Sequence, residues 1–127
     1  MLGFRGYIFS REIESNFIPQ RVQNLVVKDY CDRNNIFFKL SATEYKMKNC
    51  YLMFNSVMKE IAKIDGIVFY SLFMLPDNQK DRFKIYKKII SNKKKLHFAL
   101  EEMQLNSNKD IQKIENIYQI KKNSKKL

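Results

Sequence analysis

The stretch Asp65-Gly66-Ile67-Val68-Phe69-Tyr70-Ser71-Leu72-Phe73-Met74-Leu75-Pro76 decides the fold. It opens on a turn pair, runs as an apolar β-type segment and stops at Pro76. A short run that is apolar on both faces reads as a parallel strand buried in the middle of a sheet. Helical spacing flanks it on both sides. Tyr51, Phe54, Met58, Ile61 and Ile64 recur at three- and four-residue steps before it, and Phe83, Tyr86, Ile89 and Ile90 after it. A buried strand between two amphipathic helices is the centre of a small α/β sheet.

Working outward, four strand–helix units emerge. The first strand covers 4–9 and ends at Ser10-Arg11, and a polar loop over 12–17 follows. The first helix starts near Pro19, a favoured first-turn residue, and carries Val22, Leu25, Val26 and Tyr30 on one face up to Asn34-Asn35. The second strand covers 36–40, with a polar stretch over 41–45 after it. Asn49 is the expected cap of the second helix and Gly66 its stop signal. The third strand covers 67–72, the third helix 79–91 and the fourth strand 96–100, closed by Glu101-Glu102. Ser107-Asn108-Lys109-Asp110 resembles a capping box with Asp in place of Glu, and opens a last helix through Ile111, Ile114 and Tyr118. Right-handed crossovers then give a three-layer sandwich with a four-stranded parallel sheet in the order 2-1-3-4, flavodoxin-like, plus the C-terminal helix. One domain over 1–122 and a flexible basic tail over 123–127 are expected.

Composition sets limits on function. The chain has 127 residues, 45% apolar and 13% aromatic, which suits one globular domain. No apolar run reaches the roughly 20 residues that span a bilayer. The opening residues read directly into a strand without a signal-peptide layout, so a cytoplasmic protein is expected. Cys31 and Cys50 form no CxxC and read as two reduced thiols. The net charge of +11 invites a nucleic-acid reading. However, only Arg5, Arg11, Arg21, Arg33 and Arg82 are arginines, and many lysines fall in 87–95 and 121–126, as a solvated face and tail would. Nucleic acid is therefore the less favoured partner.

In open α/β sheets ligands bind beyond the carboxyl ends of the strands, beside the switch in strand order. That edge collects Ser10 and Arg11 from the first strand and Ser41, Thr43, Glu44 and Tyr45 from the second. The third strand adds Tyr70 and Ser71, the fourth Glu101, and the start of the first helix Gln20, Arg21, Gln23 and Asn24. Arg11 and Arg21 suit a phosphate or carboxylate. Glu44 is a candidate general base and Ser10 a candidate nucleophile, although no His is placed to activate it. Tyr45 and Tyr70 suit stacking on a sugar or base. Each has a structural alternative: Ser10 as a turn or cap residue, Glu44 as an ion-pair or capping residue, Tyr70 as core, Gln23 and Asn24 as helix surface. His97, inside a strand, reads as a packed or partner-facing imidazole. There is no Gly-rich phosphate loop, metal-ligand cluster or Ser/His/Asp signature, so no cofactor and no metal are expected.

Two resemblances add to this. Gly6-Tyr7-Ile8-Phe9-Ser10, the trio Gln23, Tyr30 and Asn34, and the run Leu72-Phe73-Met74-Leu75-Pro76-Asp77 resemble the catalytic domain of serine recombinases, the resolvase/invertase superfamily. The Gly-Tyr to Ser spacing is one residue short. Met74 and Asp77 stand where that family has two arginines, and its chemistry needs such cations on the transferring phosphoryl group. The resemblance thus implies the scaffold, without strand exchange. The strings Arg5-Gly6-Tyr7-Ile8, Ile18-Pro19-Gln20-Arg21-Val22-Gln23-Asn24-Leu25-Val26, Asp29-Tyr30-Cys31, Leu40-Ser41-Ala42-Thr43-Glu44-Tyr45 and Asp65-Gly66-Ile67-Val68-Phe69-Tyr70-Ser71-Leu72-Phe73 look like a small bacterial family named for sporadic carbohydrate biosynthesis clusters. This second resemblance implies a surface-polysaccharide context and a sugar phosphate or nucleotide sugar as partner. A non-catalytic resolvase-like module is the alternative. Exposed sheet edges make a homodimer a further expectation.

Overall fold

The structure is a computed structural model that describes residues 2–124. It has five strands and four α-helices: β1 Phe4–Phe9, α1 Gln20–Arg33, β2 Phe38–Glu44, α2 Leu52–Lys59, β3 Gly66–Phe69, α3 Gln79–Ser91, β4 Lys95–Phe98, β5 Met103–Leu105 and α4 Asn108–Ser124. The 3-10 turns Ile61–Lys63 and Leu72–Met74 flank β3.

The sheet order is β2-β1-β3-β4-β5. β1, β2, β3 and β4 are parallel, and β5 runs antiparallel to β4. The expected 2-1-3-4 core is present, but the four-stranded parallel sheet is corrected to five strands with an antiparallel edge. β5 is three residues long, too short for period-two alternation to register, and Glu101-Glu102 is the hairpin turn rather than the end of the sheet. β2 also runs further than expected, through Ser41 and Thr43 to Glu44. Its polar residues resemble a loop only until their partners are seen.

Every residue of β3 is buried, as its apolar run requires. Gly66 starts it in a tight place: a Cβ there would overlap the Lys95 backbone carbonyl and sit 2.7 Å from the Phe4 ring. On one sheet face Phe4 meets His97 edge-on, and His97 pairs with Tyr30 of α1. On the other, Tyr7, Phe69 and Phe98 form a ring ladder under Phe54 of α2. Helices thus cover both faces.

α4 is held by a polar lock. Arg82 of α3, 1% exposed, donates through Nε and Nη2 to the Glu115 carboxylate, 2.8 Å each, and through Nη1 to the carbonyls of Pro76 and Asp77. Tyr86 donates to the same carboxylate, and the Arg82 guanidinium lies 3.9 Å over the Tyr118 ring. At the helix start, Asp110 accepts from the N–H groups of Asn106 and Ser107, the reach-back half of the expected box. Asn123 and Ser124, expected in a flexible tail, lie in α4, and 125–127 fall outside the described residues. Among the described residues no helix is long and apolar enough to cross a membrane.

Candidate functional site

Where β1 and β3 end, the chain turns away in opposite directions and leaves a cleft of about 610 Å³. Phe9, Tyr51, Phe73 and Leu75 supply its apolar wall. Arg11 leaves β1 into this space. Its guanidinium lies 3.9 Å from the Phe9 ring centre and 5.1 Å from that of Tyr51, while Nη1 donates to the Tyr45 carbonyl at 3.0 Å. The two rings and the carbonyl fix a planar cation by stacking and by one hydrogen bond. Lys46 and Lys48 stand on the rim. Opposite them Lys122 of α4 bridges Glu14 at 3.2 Å and Asp77 at 3.0 Å, closing the cleft wall between two loops. None of the ion pairs among the described residues involves Arg11, Lys46 or Lys48. The cleft therefore holds three cations without a carboxylate mate and one already matched.

Burial works on the phenol of Tyr51 first and raises it to about 12, with Arg11 pulling the other way. Its hydroxyl donates to the Met74 carbonyl at 2.9 Å. Tyr51 is thus a fixed neutral wall.

The expected residues distribute differently. Only Arg11 lines the cleft; Tyr45 contributes its carbonyl, with an exposed ring. Ser10 lies beside it, its hydroxyl donating to the Glu44 carbonyl. Glu44 is 1% exposed and accepts from the Tyr7 hydroxyl at 2.7 Å and from the N–H groups of Tyr45, Met53 and Phe54. Burial alone would push its carboxyl up. The Tyr7 hydroxyl and those backbone groups outweigh burial and hold it below its ordinary value. Glu44 thereby caps α2, the task expected of Asn49, which instead takes a left-handed φ of 60° one turn earlier.

Gln23 is fully buried, not helix surface. Its amide accepts from the Phe9 N–H and donates to the carbonyls of Phe9 and Ile18, so it completes the end of β1. Asn24 accepts from Ser41 at 2.6 Å and ties α1 to β2. Thr43 is half-buried in β2 opposite Ile8. Gln20 and Arg21 are exposed on the first turn of α1. Tyr70 is core at 6% exposure, its backbone paired with Tyr7 and Leu100. Ser71 donates to Glu101 at 2.7 Å, and Glu101 accepts the Leu72 N–H, securing the turn after β3. Burial leads in raising the Glu101 carboxyl, against those two hydrogen bonds.

Sequence reasoning pointed to the carboxyl edge of the sheet, where this cleft opens, but missed most of the cleft wall. Lys46 and Lys48 lie between the polar stretch 41–45 and Asn49 and were assigned no role, and Tyr51 sat in a helix face read only as core. Lys122 comes from the far end of the chain, and no local signal marks it.

The fold is that of resolvase-type recombinase catalytic domains. Over 97% of this chain and 91% of the other, it superposes on a resolvase family site-specific recombinase from Streptococcus pneumoniae, with TM-score 0.68 and 12% identity. The N-terminal catalytic domain of TP901-1 integrase is similar over 96% of this chain and 97% of its own, with TM-score 0.64 and 15% identity. At those identities the likeness concerns the fold alone. No protein-family model matches the sequence, and no curated protein sequence matches it.

Proposed function

We propose that the chain binds a phosphorylated or nucleotide-linked sugar in the cleft between the ends of β1 and β3, as a small protein of bacterial surface-carbohydrate biosynthesis. One observation carries the binding half of this reading: among the described residues Arg11 is a cation without a carboxylate partner, stacked on Phe9 and Tyr51 and flanked by Lys46 and Lys48. A fixed planar guanidinium in a semi-enclosed apolar wall suits a phosphate group better than mobile surface lysines do. The sugar half rests on the sequence resemblance to the carbohydrate-cluster family. Binding is favoured over bond-breaking because Ser10 and Glu44 are engaged with each other's surroundings, Ser10 with a carbonyl and Glu44 with a helix start.

The test is a thermal-shift and calorimetric panel of inorganic phosphate, hexose 1-phosphates, UDP-glucose and a short DNA duplex at two salt concentrations. Ligand at about a hundred times Kd stabilises the native state by about 2.7 kcal/mol. A rise in Tm with phosphate-bearing ligands, abolished by Arg11→Ala in a variant that still melts cooperatively, is the expected result. No rise, or a rise that Arg11→Ala leaves intact, overturns the reading. The charge of +11 and the exposed row Lys80, Lys84, Lys87 and Lys88 on α3 favour one second reading, nucleic-acid binding. That reading predicts a duplex-induced shift that falls steeply with salt.

A further inference from the structure

We infer that the cleft is one half of a two-part groove, and that its other half takes the hydroxyl-bearing ring of the ligand. This deepens the phosphate reading and rests on it. Between α2 and α3 lies a second compartment of about 570 Å³. It shares Asn49, Tyr51 and Asp77 with the first, so the two meet along the Tyr51 ring. Each volume falls in the range of small-molecule sites, roughly 300–1,000 Å³.

The chemistry of the two halves differs. The Arg11 half has an excess of cations, with Arg11, Lys46, Lys48 and Lys122 against Glu12, Glu14 and Asp77. The second half pairs the carboxylate of Asp81 and the carboxamide of Asn55 with the apolar surfaces of Phe54, Pro76 and Ile85. Asp81 takes part in none of the ion pairs among the described residues, and the hydrogen bonds described for it use its backbone N–H. A carboxylate and a carboxamide beside an apolar wall suit sugar hydroxyls, which donate to the first and both donate to and accept from the second, while C–H faces lie on the wall. Lys84 is the single cation there, set against Asp81 and Asp77. An extended polyanion, such as a nucleic-acid strand running through both halves, would meet the Asp81 carboxylate in the second half, and like charge disfavours it. The groove therefore fits a ligand that is anionic at one end and polyhydroxylated at the other, with the phosphate at Arg11 and the ring past Tyr51.

Calorimetry on the whole chain tests this, using inorganic phosphate and the 1-phosphates of glucose, galactose and mannose. Asp81→Asn, Asn55→Leu and their double variant change exposed side chains, and an unchanged Tm verifies their fold. The expected result is that one hexose 1-phosphate binds at least about tenfold tighter than inorganic phosphate, the worth of one or two hydroxyl hydrogen bonds. That advantage should fall towards one in the double variant while phosphate affinity stays the same. If phosphate binds through Arg11 but no hexose 1-phosphate binds tighter, or the advantage survives the double variant, the two-part groove is wrong and the phosphate reading stands. If neither phosphate nor any hexose 1-phosphate binds the wild type, both fall.

Discussion

Glu44 and Gln23 are the residues whose roles the structure changes most. Both are polar, both sit near the carboxyl edge of the sheet, and both are spent on backbone groups that would otherwise be buried without partners. Glu44→Ala removes the cap of α2 and strands the Tyr7 hydroxyl in the core. We expect a loss of about 2–4 kcal/mol in urea unfolding, with Tyr7→Phe costing roughly a third of that. Gly66 gives a second expectation at this scale. Because the overlapping atom is the Lys95 backbone oxygen and not a flexible side chain, Gly66→Ala must displace β4 from β3. A cost of about 1–3 kcal/mol should appear as a lower urea midpoint. At this scale the sequence named the residue types and left two tasks open for several of them: Glu44 caps a helix and Tyr70 is core, both structural alternatives, while Gln23 is buried rather than on the helix surface. Ser10, Glu44, Ser71 and Glu101 were singled out as polar groups at strand ends and Gln23 near the start of the first helix, and the hydrogen bonds that occupy them join segments distant in the chain. No spacing rule contains such pairs.

Among the elements, α3 was legible to its boundaries from the apolar stripe Phe83, Tyr86, Ile89 and Ile90, and the structure adds the cap, with the Asn78 side chain accepting from the N–H groups of Lys80 and Asp81. α4 was legible as a helix from Asp110 and its Ile and Tyr spacing. How α4 docks was not. Arg82 and Glu115 look like any helix-surface charges, yet both are buried and joined by two hydrogen bonds. Glu115→Ala should cost about 3–5 kcal/mol, because it leaves the guanidinium buried without a carboxylate, held only by two backbone carbonyls and the Tyr118 ring. The double variant Arg82→Met, Glu115→Leu should recover most of that. A double variant as unstable as Glu115→Ala alone, in urea unfolding, would show that the pair is not what secures α4. β5 belongs to the same lesson: three residues carry too little pattern to announce a strand, and the exposed edge of β4 is what recruits them.

For the whole molecule, His97 ties stability to pH. Burial first, and then the positive charge of Lys95, hold its imidazole at about 4, down from its ordinary 6.5. Between those values the unfolded chain takes up a proton that the folded chain refuses. Stability from this group is complete above 6.5 and declines as pH falls towards 4, by up to about 1.4 kcal/mol per pH unit. Urea midpoints of wild type should therefore slope downward between pH 6.5 and 5, and those of His97→Phe should be flatter. Equal slopes would remove the assignment. The amino-acid sequence by itself determined the alternation of strands and helices and the order of the four parallel strands. Those features follow from local periodicity, turn residues and the handedness of short crossovers, all of which are written along the chain. Only the tertiary structure decided which polar side chains are free to meet a ligand. Arg11 and Lys122 come from opposite ends of the chain to face one cleft, while Glu44 and Gln23 are drawn into the backbone they satisfy. Availability depends on which buried N–H and C=O groups need partners, and that is known only once the helices are packed on the sheet.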